Sequence, residues 1–441
     1  MKKIQMLKIV AVSGILSWPI FAQEVDVPHQ FSPGTPAKAE EVNENFSFLA
    51  AEIADLMKRF DESTAGKARF AKHANCHENP YALRDALWEG VNFDDVRISL
   101  EGECYGSFWQ DATEFRRGQN IWLLGIGPAP ENRASIVPHP DTNRVSLQGT
   151  DDNLFLSRLN IYLGDADVHG VYYNNNAKGG LSDVTFFGKG SGTGVVAREG
   201  ATVGMNALEI VNFETGILAL NGASIVTWRD VAIRQVQMGV DLGFSTFQQA
   251  GHVYIEASQF STMVSSSHWN VWEHELETVG DGSVHLINNS TMTAYQLSNQ
   301  TNVNIDASKL IIRQPTTLHS VSAGRGSLVE LNGGTVTETF RLSRHSIADV
   351  RQVTIGEMDI RDQSSLNASE TQFIGRLNAS NGNAQIDSNS VVDLSRLSCS
   401  GISQVNISNI NLLRDHPETR CMGGEDINIL YQLVRDAVLN E

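Results

Sequence analysis

The chain contains four pairs of glycine followed by an aliphatic residue, set at a nearly constant spacing of 24, 22 and 23 residues. A period of roughly 20 to 25 residues is typical of a solenoid, in which each repeat forms one turn. One turn cannot bury its own apolar face, so successive turns must stack. The spacing therefore predicts an all-β solenoid with a long outer surface along which a binding site could lie. The pairs are Gly170-Val171, Gly194-Val195, Gly216-Ile217 and Gly239-Val240.

Later turns are shorter and more polar. Between Ser283 and Ile407, short strand-like runs recur about 18 to 26 residues apart, separated by Asn, Ser, Asp and Gly. These residues suit tight turns, because Asn and Gly tolerate left-handed backbone and Ser and Asp bond the local backbone. We therefore expect turn chemistry and stacked side-chain ladders, with glycan attachment at Asn-x-Ser/Thr sites as the alternative. Little helix is expected between Gly90 and Gly424.

The first 22 residues carry three lysines ahead of an apolar stretch that ends in Ala22. This is the pattern of a secretory signal peptide, and it is too short and too interrupted for a membrane span. We predict export to the periplasm, the cell surface or the medium, with no membrane span after the signal is removed.

Charge narrows the choice of partner. The formal net charge is -18, and removing Lys2, Lys3 and Lys8 would make it -21. Such a surface repels phosphate backbones, so a nucleic-acid partner is not expected. Solubility is the simpler explanation of this acidity.

Residues 23–72 are predicted to form a linker and a helix. Apolar residues there alternate at spacings of four and three, which is the heptad pattern of a coiled coil. Residues 42–60 could therefore join copies of the chain into a homo-oligomer, or the same stripe could pack on the solenoid. The segment from Gly34 to Phe46 also resembles helix-leading segments of bacterial secreted and phage fibre-type proteins. The heptad residues are Val42, Phe46, Leu49, Ile53, Leu56 and Phe60.

A short amphipathic helix is predicted between Cys76 and Leu87, followed by an alternating strand over 96–104. This order of helix, strand and second cysteine resembles the N-terminal cap of secreted right-handed parallel β-helix proteins of the pectin-lyase-like fold. Residues 119–127 resemble an early turn of that fold. The resemblance implies a right-handed parallel β-helix over 73–424, and a capping helix is predicted over 425–441.

Four cysteines allow three disulfide connectivities. They lie as one pair near each end of the solenoid, so we favour the two local links, Cys76 with Cys104 and Cys399 with Cys421. Disulfides are expected in an exported protein. Each link would secure one end of the stack.

Counting twelve and thirteen residues from each turn glycine predicts which side chains share a face. The count brings together Trp228, Arg229, His252, His274 and Glu275, with Trp269 and Trp272 close by. Aromatic planes stack on sugar rings, and Arg and Glu hydrogen-bond hydroxyl groups, so this set is our candidate carbohydrate-binding face. Each tryptophan could instead pack in the core or under a loop, and each histidine could be an ordinary surface residue. A register error of one residue would invert the face.

Asp165 and Asp167 lie in one turn with His169. Their carboxylates could hold Ca²⁺, although an Asp-x-Asp turn commonly bonds its own backbone. No other cofactor is expected.

Three functions remain open from the sequence. The first is binding of extracellular or cell-surface polysaccharide without turnover. The second is a polysaccharide lyase or glycoside hydrolase, with Arg229, His252 and Glu275 as catalytic candidates, although the signature motifs of those enzymes in the pectin-lyase-like fold are not found. The third is a structural spacer at a surface or fibre.

Overall fold

The computed structural model describes most of the chain between Arg69 and Ile407. The segments predicted to hold the signal peptide, the heptad helix and the C-terminal helix lie outside the described residues. The described ranges are 69–106, 119–127, 132–145, 147–150, 152–272, 274–280, 282–298, 301–393, 396–401 and 403–407.

The described residues form one helix and a long succession of short strands. The helix is α1 (Ala82–Gly90). The strands up to Thr227 are β1 (Arg69–Asn75), β2 (Asp95–Glu101), β3 (Glu103–Tyr105), β4 (Asn120–Gly125), β5 (Ser135–Val137), β6 (Gln148–Thr150), β7 (Asn153–Tyr162), β8 (His169–Asn174), β9 (Lys178–Phe187), β10 (Thr193–Ala197), β11 (Thr202–Val211), β12 (Thr215–Leu220) and β13 (Ser224–Thr227). The later strands are β14 (Val231–Gly243), β15 (Thr246–Gln249), β16 (Val253–Ser265), β17 (His268–Val271), β18 (Glu275–Val279), β19 (Ser283–Ile287), β20 (Thr291–Ala294), β21 (Gln296–Ser298), β22 (Thr301–Asp306), β23 (Lys309–Ile312), β24 (Thr316–Gly324), β25 (Leu328–Leu342), β26 (Ile347–Arg361), β27 (Ser365–Ser369), β28 (Gln372–Phe373), β29 (Leu377–Ser380), β30 (Asn383–Ile386), β31 (Val391–Val392), β32 (Leu397–Ser400) and β33 (Gln404–Ile407).

These strands build a parallel β-solenoid of the right-handed type, with about 14 turns. Each strand pairs in parallel with the matching strand one turn away, as β9 pairs with β11 and β11 with β13. The predicted all-β solenoid is therefore confirmed.

A turn has three sides. In β11 the backbone bends at Ala207, where φ is +55°. Residues 202–205 pair with β13 on what we call the first side, and residues 208–211 pair with β14 on the second side. Strand β12 supplies the third side. Successive turns place equivalent side chains directly above one another.

The core is a set of stacked apolar rows. On the first side Val203 pairs with Ile225 and Ile225 with Phe247, and all three are fully buried. Their neighbours along each strand point outward, because successive side chains of a strand alternate between its two faces. Burial of these rows supplies the main stabilisation.

The glycines of the Gly-aliphatic pairs stack on the third side. A Cβ atom on Gly194 would lie 2.8 Å from the carbonyl oxygen of Gly216, and one on Gly216 would lie 2.6 Å from that of Gly239. A side chain at these positions would therefore push adjacent turns apart. This close approach explains why the repeat is marked by glycine.

A column of buried small residues runs along the corner between the third and first sides. In the turns of residues 69–243, which we call the N-terminal turns, the column holds Ala177, Ala201 and Ala223. In the turns of residues 245–407, the C-terminal turns, it becomes mostly serine. The serines accept hydrogen bonds from one turn to the next, as the Ser245 N–H donates to Ser267 Oγ at 2.9 Å. The predicted side-chain ladder is thus confirmed. Its serines include Ser245, Ser267, Ser290, Ser308, Ser327, Ser346 and Ser364.

The N-terminal turns begin one strand earlier than the sequence predicts. Strand β1 starts at Arg69, inside the range assigned to the heptad helix, and pairs with β2. Helix α1 therefore lies between two paired strands and buries Leu83, Ala86 and Leu87. The Cys76–Cys104 disulfide is present, with Cα atoms 5.1 Å apart. Whether α1 caps the stack stays a prediction, because the residues ahead of Arg69 are not described.

The second predicted disulfide falls partly outside the described residues. Cys399 lies in β32 and is buried. Cys421 is not among the residues that the structure describes, so this link stays a prediction.

Candidate functional site

A groove of about 850 Å³ runs across the first side of the N-terminal turns. It extends from β1 to Trp228, which directly follows β13. Two adjacent outward rows of side chains line it, and both rows are set by the strand register.

The first row combines a cation, two aromatic rings and two glycines. Its members point outward because the next residues along the strands, such as Leu123, Leu156 and Leu181, are buried in the core. In consecutive turns the row reads Arg97, Trp122, Phe155, Gly180 and Gly204.

Stacked rings lie in the middle turns of the groove. The indole of Trp122 lies parallel to the Phe155 ring, with centroids 3.9 Å apart and an interplanar angle of 12°. The Arg97 guanidinium lies over Trp122 at 5.4 Å from the ring centroid. Such stacking and cation–π contacts hold the rings in place. The result is an ordered aromatic surface within the groove.

Glycines form the open floor beside these rings. A Cβ atom on Gly180 would lie 2.7 Å from Cδ1 of Phe155, so this ring covers part of the floor. At Gly204 the nearest atoms to a Cβ position are the Gly179 carbonyl oxygen and Trp228 Nε1, both at 3.8 Å. Space for a side chain therefore exists at Gly204, and its absence leaves the groove open.

The second row supplies hydroxyl and amide groups. Ser157, Ser182 and Asn206 are partners in successive turns, and Asn206 Nδ2 donates to Ser182 Oγ at 3.3 Å. Asn206 Oδ1 is buried and has no hydrogen-bond partner within the described part of the chain. Trp228 follows in the next turn, with 65% of its surface exposed. A second aromatic plane thus stands at the opposite end of the glycine floor from Phe155.

Each basic side chain at the groove has an acidic neighbour. Lys72 contacts Glu89. His73 Nε2 lies 3.3 Å from a Glu101 carboxylate oxygen, and Arg97 Nε lies 3.3 Å from Asp95. The positive charge at the β1 and β2 end of the groove is therefore largely compensated.

The sequence-predicted residues lie at one corner, between the first and second sides. Here the two residues 206–207 of one turn are replaced by three residues, 228–230, in the next turn, because Met205 pairs with Thr227 and Leu208 with Val231. Thr227 pairs with Gln249 and Gln249 with Val271, so residues 250–252, Trp272 and His274 follow at the same corner in later turns. Trp228, Arg229, His252 and His274 thus lie at one corner in three successive turns, and their action as one binding face stays a prediction. Trp228 alone of these residues lines the groove.

The predicted catalytic candidates do not contact one another. His252 Nε2 instead lies 3.3 Å from a carboxylate oxygen of Glu277. Glu275 opens β18, and its backbone carbonyl accepts a hydrogen bond from Gln249 Nε2 at 3.0 Å. Arg229 is exposed at the corner.

The prediction that Trp269 lies on the outer face is wrong. Its side chain is 1% exposed and stacks on Phe247 inside the solenoid, with ring centroids 4.4 Å apart. Its Nε1–H donates to Gln249 Oε1 at 3.2 Å, which satisfies the indole in the core. Trp272, three residues later, is 56% exposed at the corner two turns from Trp228.

In the Asp165–Asp167 turn, Asp167 bonds backbone N–H groups, which is the geometry expected if the turn is not a Ca²⁺ site. Asp167 accepts hydrogen bonds from the N–H groups of Val145, at 2.8 and 2.9 Å, and of Gly164, at 2.7 Å. Burial raises the pKa of the Asp167 carboxyl, and these hydrogen bonds oppose the rise. Asp165 accepts a hydrogen bond from Asn143 Nδ2 at 3.2 Å. Among the described residues no group of three or more potential metal-ligating side chains occurs.

Sequence reasoning missed most of the groove. Trp122 and Phe155 precede the first Gly-aliphatic pair and lie 33 residues apart, so counting from those pairs does not align them. One signal was present in the sequence: Gly180 and Gly204 are 24 residues apart, the same step as Gly170 to Gly194.

Comparisons of the chain with protein-family models, with curated proteins and with solved structures found no match. The likeness to the pectin-lyase-like fold therefore stays a resemblance in sequence. Within the described residues, no helix is both long and apolar enough to cross a membrane.

Proposed function

We propose that the protein is exported and binds a neutral polysaccharide in the groove without cleaving it. The observation that carries this proposal is the pair of aromatic surfaces, Trp122–Phe155 and Trp228, which lie on either side of the glycine floor of Gly180 and Gly204. The floor lets a ligand approach the backbone, and the rings offer flat apolar surfaces.

Sugar chains match this chemistry. A pyranose ring has apolar C–H faces that stack on aromatic planes and a rim of hydroxyl groups that need hydrogen bonds. Binding sites for such amphipathic ligands are mostly apolar with a few placed polar groups. Ser157, Ser182 and Asn206 supply hydroxyl and amide groups beside the rings.

The charge distribution favours a neutral ligand. Glu89, Glu101 and Asp95 lie against Lys72, His73 and Arg97, the basic side chains at the groove. The formal net charge of -18 also repels acidic polymers at long range. An acidic polysaccharide would have to displace these carboxylates.

Cleavage is a second candidate, and the contact between His252 and Glu277 is the observation that favours it. Most glycosidases need two carboxyl groups that flank the scissile bond. Among the described residues that line the groove, none is Asp or Glu. A hydrolytic centre would therefore lie at the corner rather than in the groove, and its catalytic residues would be those near His252.

Binding is tested on an array of neutral and acidic glycans with Trp122→Ala and Trp228→Ala. Trp272→Ala is the matched control, because Trp272 is a similarly exposed tryptophan outside the groove. We expect the wild-type protein to retain neutral glycans, both groove variants to lose at least about tenfold in affinity, and the control to bind normally. Equal binding by all four proteins, or none by the wild type, would refute the proposal.

The same glycans then separate binding from cleavage. Unsaturated-product absorbance and new reducing ends are measured after long incubation with the wild-type protein, with and without Ca²⁺. We expect neither signal. Product formation that is lost in His252→Ala would instead establish the enzyme.

A further inference from the structure

The outward row that lines the groove continues to the far end of the solenoid. Gly204 pairs with Val226, Val226 with Gln248, and Gln248 with Asn270. From Gln248 onward the row is polar except for Ile311. It proceeds through Thr293, Ile311, Glu330, Asp349, Asn367, Gln385 and Asn406.

A second recess, of about 500 Å³, lies at the end of this row. We call it the amide recess, and it is lined by Asp349, Asn367, Gln385 and Asn406 together with Ser369 and Asp387. It occupies the first side, as the groove does, but in the last described turns.

Part of the amide recess is fixed by hydrogen bonds within the protein. Asn367 Nδ2 donates to Asp349 Oδ1 at 2.6 Å, and Ser369 Oγ donates to Asp387 Oδ2 at 2.8 Å. The side-chain amides of Gln385 and Asn406 make no hydrogen bond within the described part of the chain, and both residues are exposed. Each of these amides offers two donors and an acceptor. The recess therefore has a fixed rim and free groups that suit hydroxyl-rich ligands.

The groove and the amide recess are far enough apart to require a long ligand. Six strand spacings separate Val226 from Asp349 along the row. At about 4.8 Å per spacing, the distance is roughly 29 Å. A short oligosaccharide in the groove would not reach the recess, whereas a polymer running parallel to the solenoid axis would.

We propose that the amide recess is a second subsite for the same polysaccharide chain, which lies along the first side from the groove to Asn406. This inference rests on the proposed function of the groove. Binding at both places is multivalent, so it raises the affinity for long chains without any change in the groove.

The test compares short and long neutral ligands by titration calorimetry. The probes are cellotetraose, laminaritetraose, xylotetraose and mannotetraose, each with a soluble form of its parent polymer. For the series that binds, we expect the polymer to bind about tenfold more tightly per site than the tetrasaccharide. The double variant with Asn367→Ala and Gln385→Ala should lose this gain and keep the tetrasaccharide affinity.

Two controls keep the outcomes distinct. Gln385→Ala alone removes an exposed side chain that makes no hydrogen bond within the described part of the chain, so a folding defect is not expected. This variant should lose part of the gain. Gln259→Ala removes an exposed amide on another face and should change nothing. A polymer gain that survives the double variant, or no gain at all, overturns the second subsite and leaves the groove proposal standing. No binding by any probe overturns both.

Discussion

The N-terminal and C-terminal turns share one core but differ at the corner column and on the outer row. At the alanine corners, each backbone N–H bonds within its own turn, as Ala201 donates to Arg198 O at 3.0 Å. At the serine corners, the N–H of Ser245 bonds instead to the next turn, through Ser267 Oγ. The C-terminal turns are thus tied together by side-chain hydrogen bonds that the N-terminal turns lack at this corner.

Turn length also decreases along the chain, but the change falls at Ser290 rather than at Ser245. Successive corner residues are 22 and 23 residues apart from Ser245 to Ser290, and 18 and 19 apart from Ser290 to Ser327. In the N-terminal turns the step from Asn120 to Asn153 is 33 residues. Short regular turns leave little room for insertions, whereas the longer turns carry the aromatic groove. The comparison indicates that the aliphatic core specifies the fold and the outer row is free to specify binding.

The largest expected effect on stability is confined to the N-terminal turns. Replacing Cys76 and Cys104 together by serine removes a crosslink with a sequence separation of 28 residues. Such a loss destabilises the folded state by about 3–4 kcal/mol. Because each turn contacts only its neighbours, hydrogen exchange should accelerate in β1 to β4 and stay unchanged beyond Ser245. Equal acceleration at both ends would show that the solenoid unfolds as one unit.

A smaller effect distinguishes the two kinds of corner. Ser267→Ala removes the acceptor of the Ser245 N–H at a fully buried site, so we expect a loss of about 1–3 kcal/mol in the free energy of unfolding. The reciprocal change, Ala223→Ser, should stay within about 1 kcal/mol, because the Ala223 N–H already bonds to Leu220 O. Chemical denaturation measures both. Equal losses would mean that the serine ladder contributes no special stability.

The smallest expected effect on stability depends on pH and concerns a residue of the N-terminal turns close to their boundary with the C-terminal turns. Asp241 sits on the third side between Leu218 and Met263, and burial raises the pKa of its carboxyl. The folded state therefore favours the protonated Asp241 carboxyl. The stability that this protonated carboxyl contributes is lost as pH rises from the ordinary pKa of about 3.9 through the raised value. Asp241→Asn should stabilise the protein slightly at pH 7 and not below about pH 3. Denaturation midpoints at both pH values provide the test, and a gain at low pH would contradict it.

The solenoid could be predicted from the sequence because its cause is local. Gly194 and Gly216 lie too close to the backbone of the next turn to carry a side chain, and they occupy equivalent positions in successive turns. The Ser and Asn residues likewise act within their own turn or on the adjacent one. Such features survive modest errors in register.

The candidate site could not be predicted in the same way, because it depends on register across many turns. The corner holds two residues, 206–207, in one turn and three, 228–230, in the next, which shifts every later count. Trp269 shows the consequence. It pairs with Phe247 and faces the core, while the neighbouring Asn270 faces outward. Trp228 was predicted correctly as an outer residue, but its partners in the groove come from earlier turns rather than later ones.

The most direct test of the central claim fills the glycine floor. Gly204→Val adds a side chain where a Cβ meets no atom closer than 3.8 Å. The matched control is Gly324→Val in β24, which does not line the groove and where a Cβ meets no atom closer than 3.6 Å. Titration calorimetry with the neutral glycan retained by the wild-type protein should show at least about a tenfold loss of affinity for Gly204→Val. The control should bind as the wild type does, and both variants should unfold at wild-type denaturant concentrations. Unchanged binding by a folded Gly204→Val protein would contradict the account.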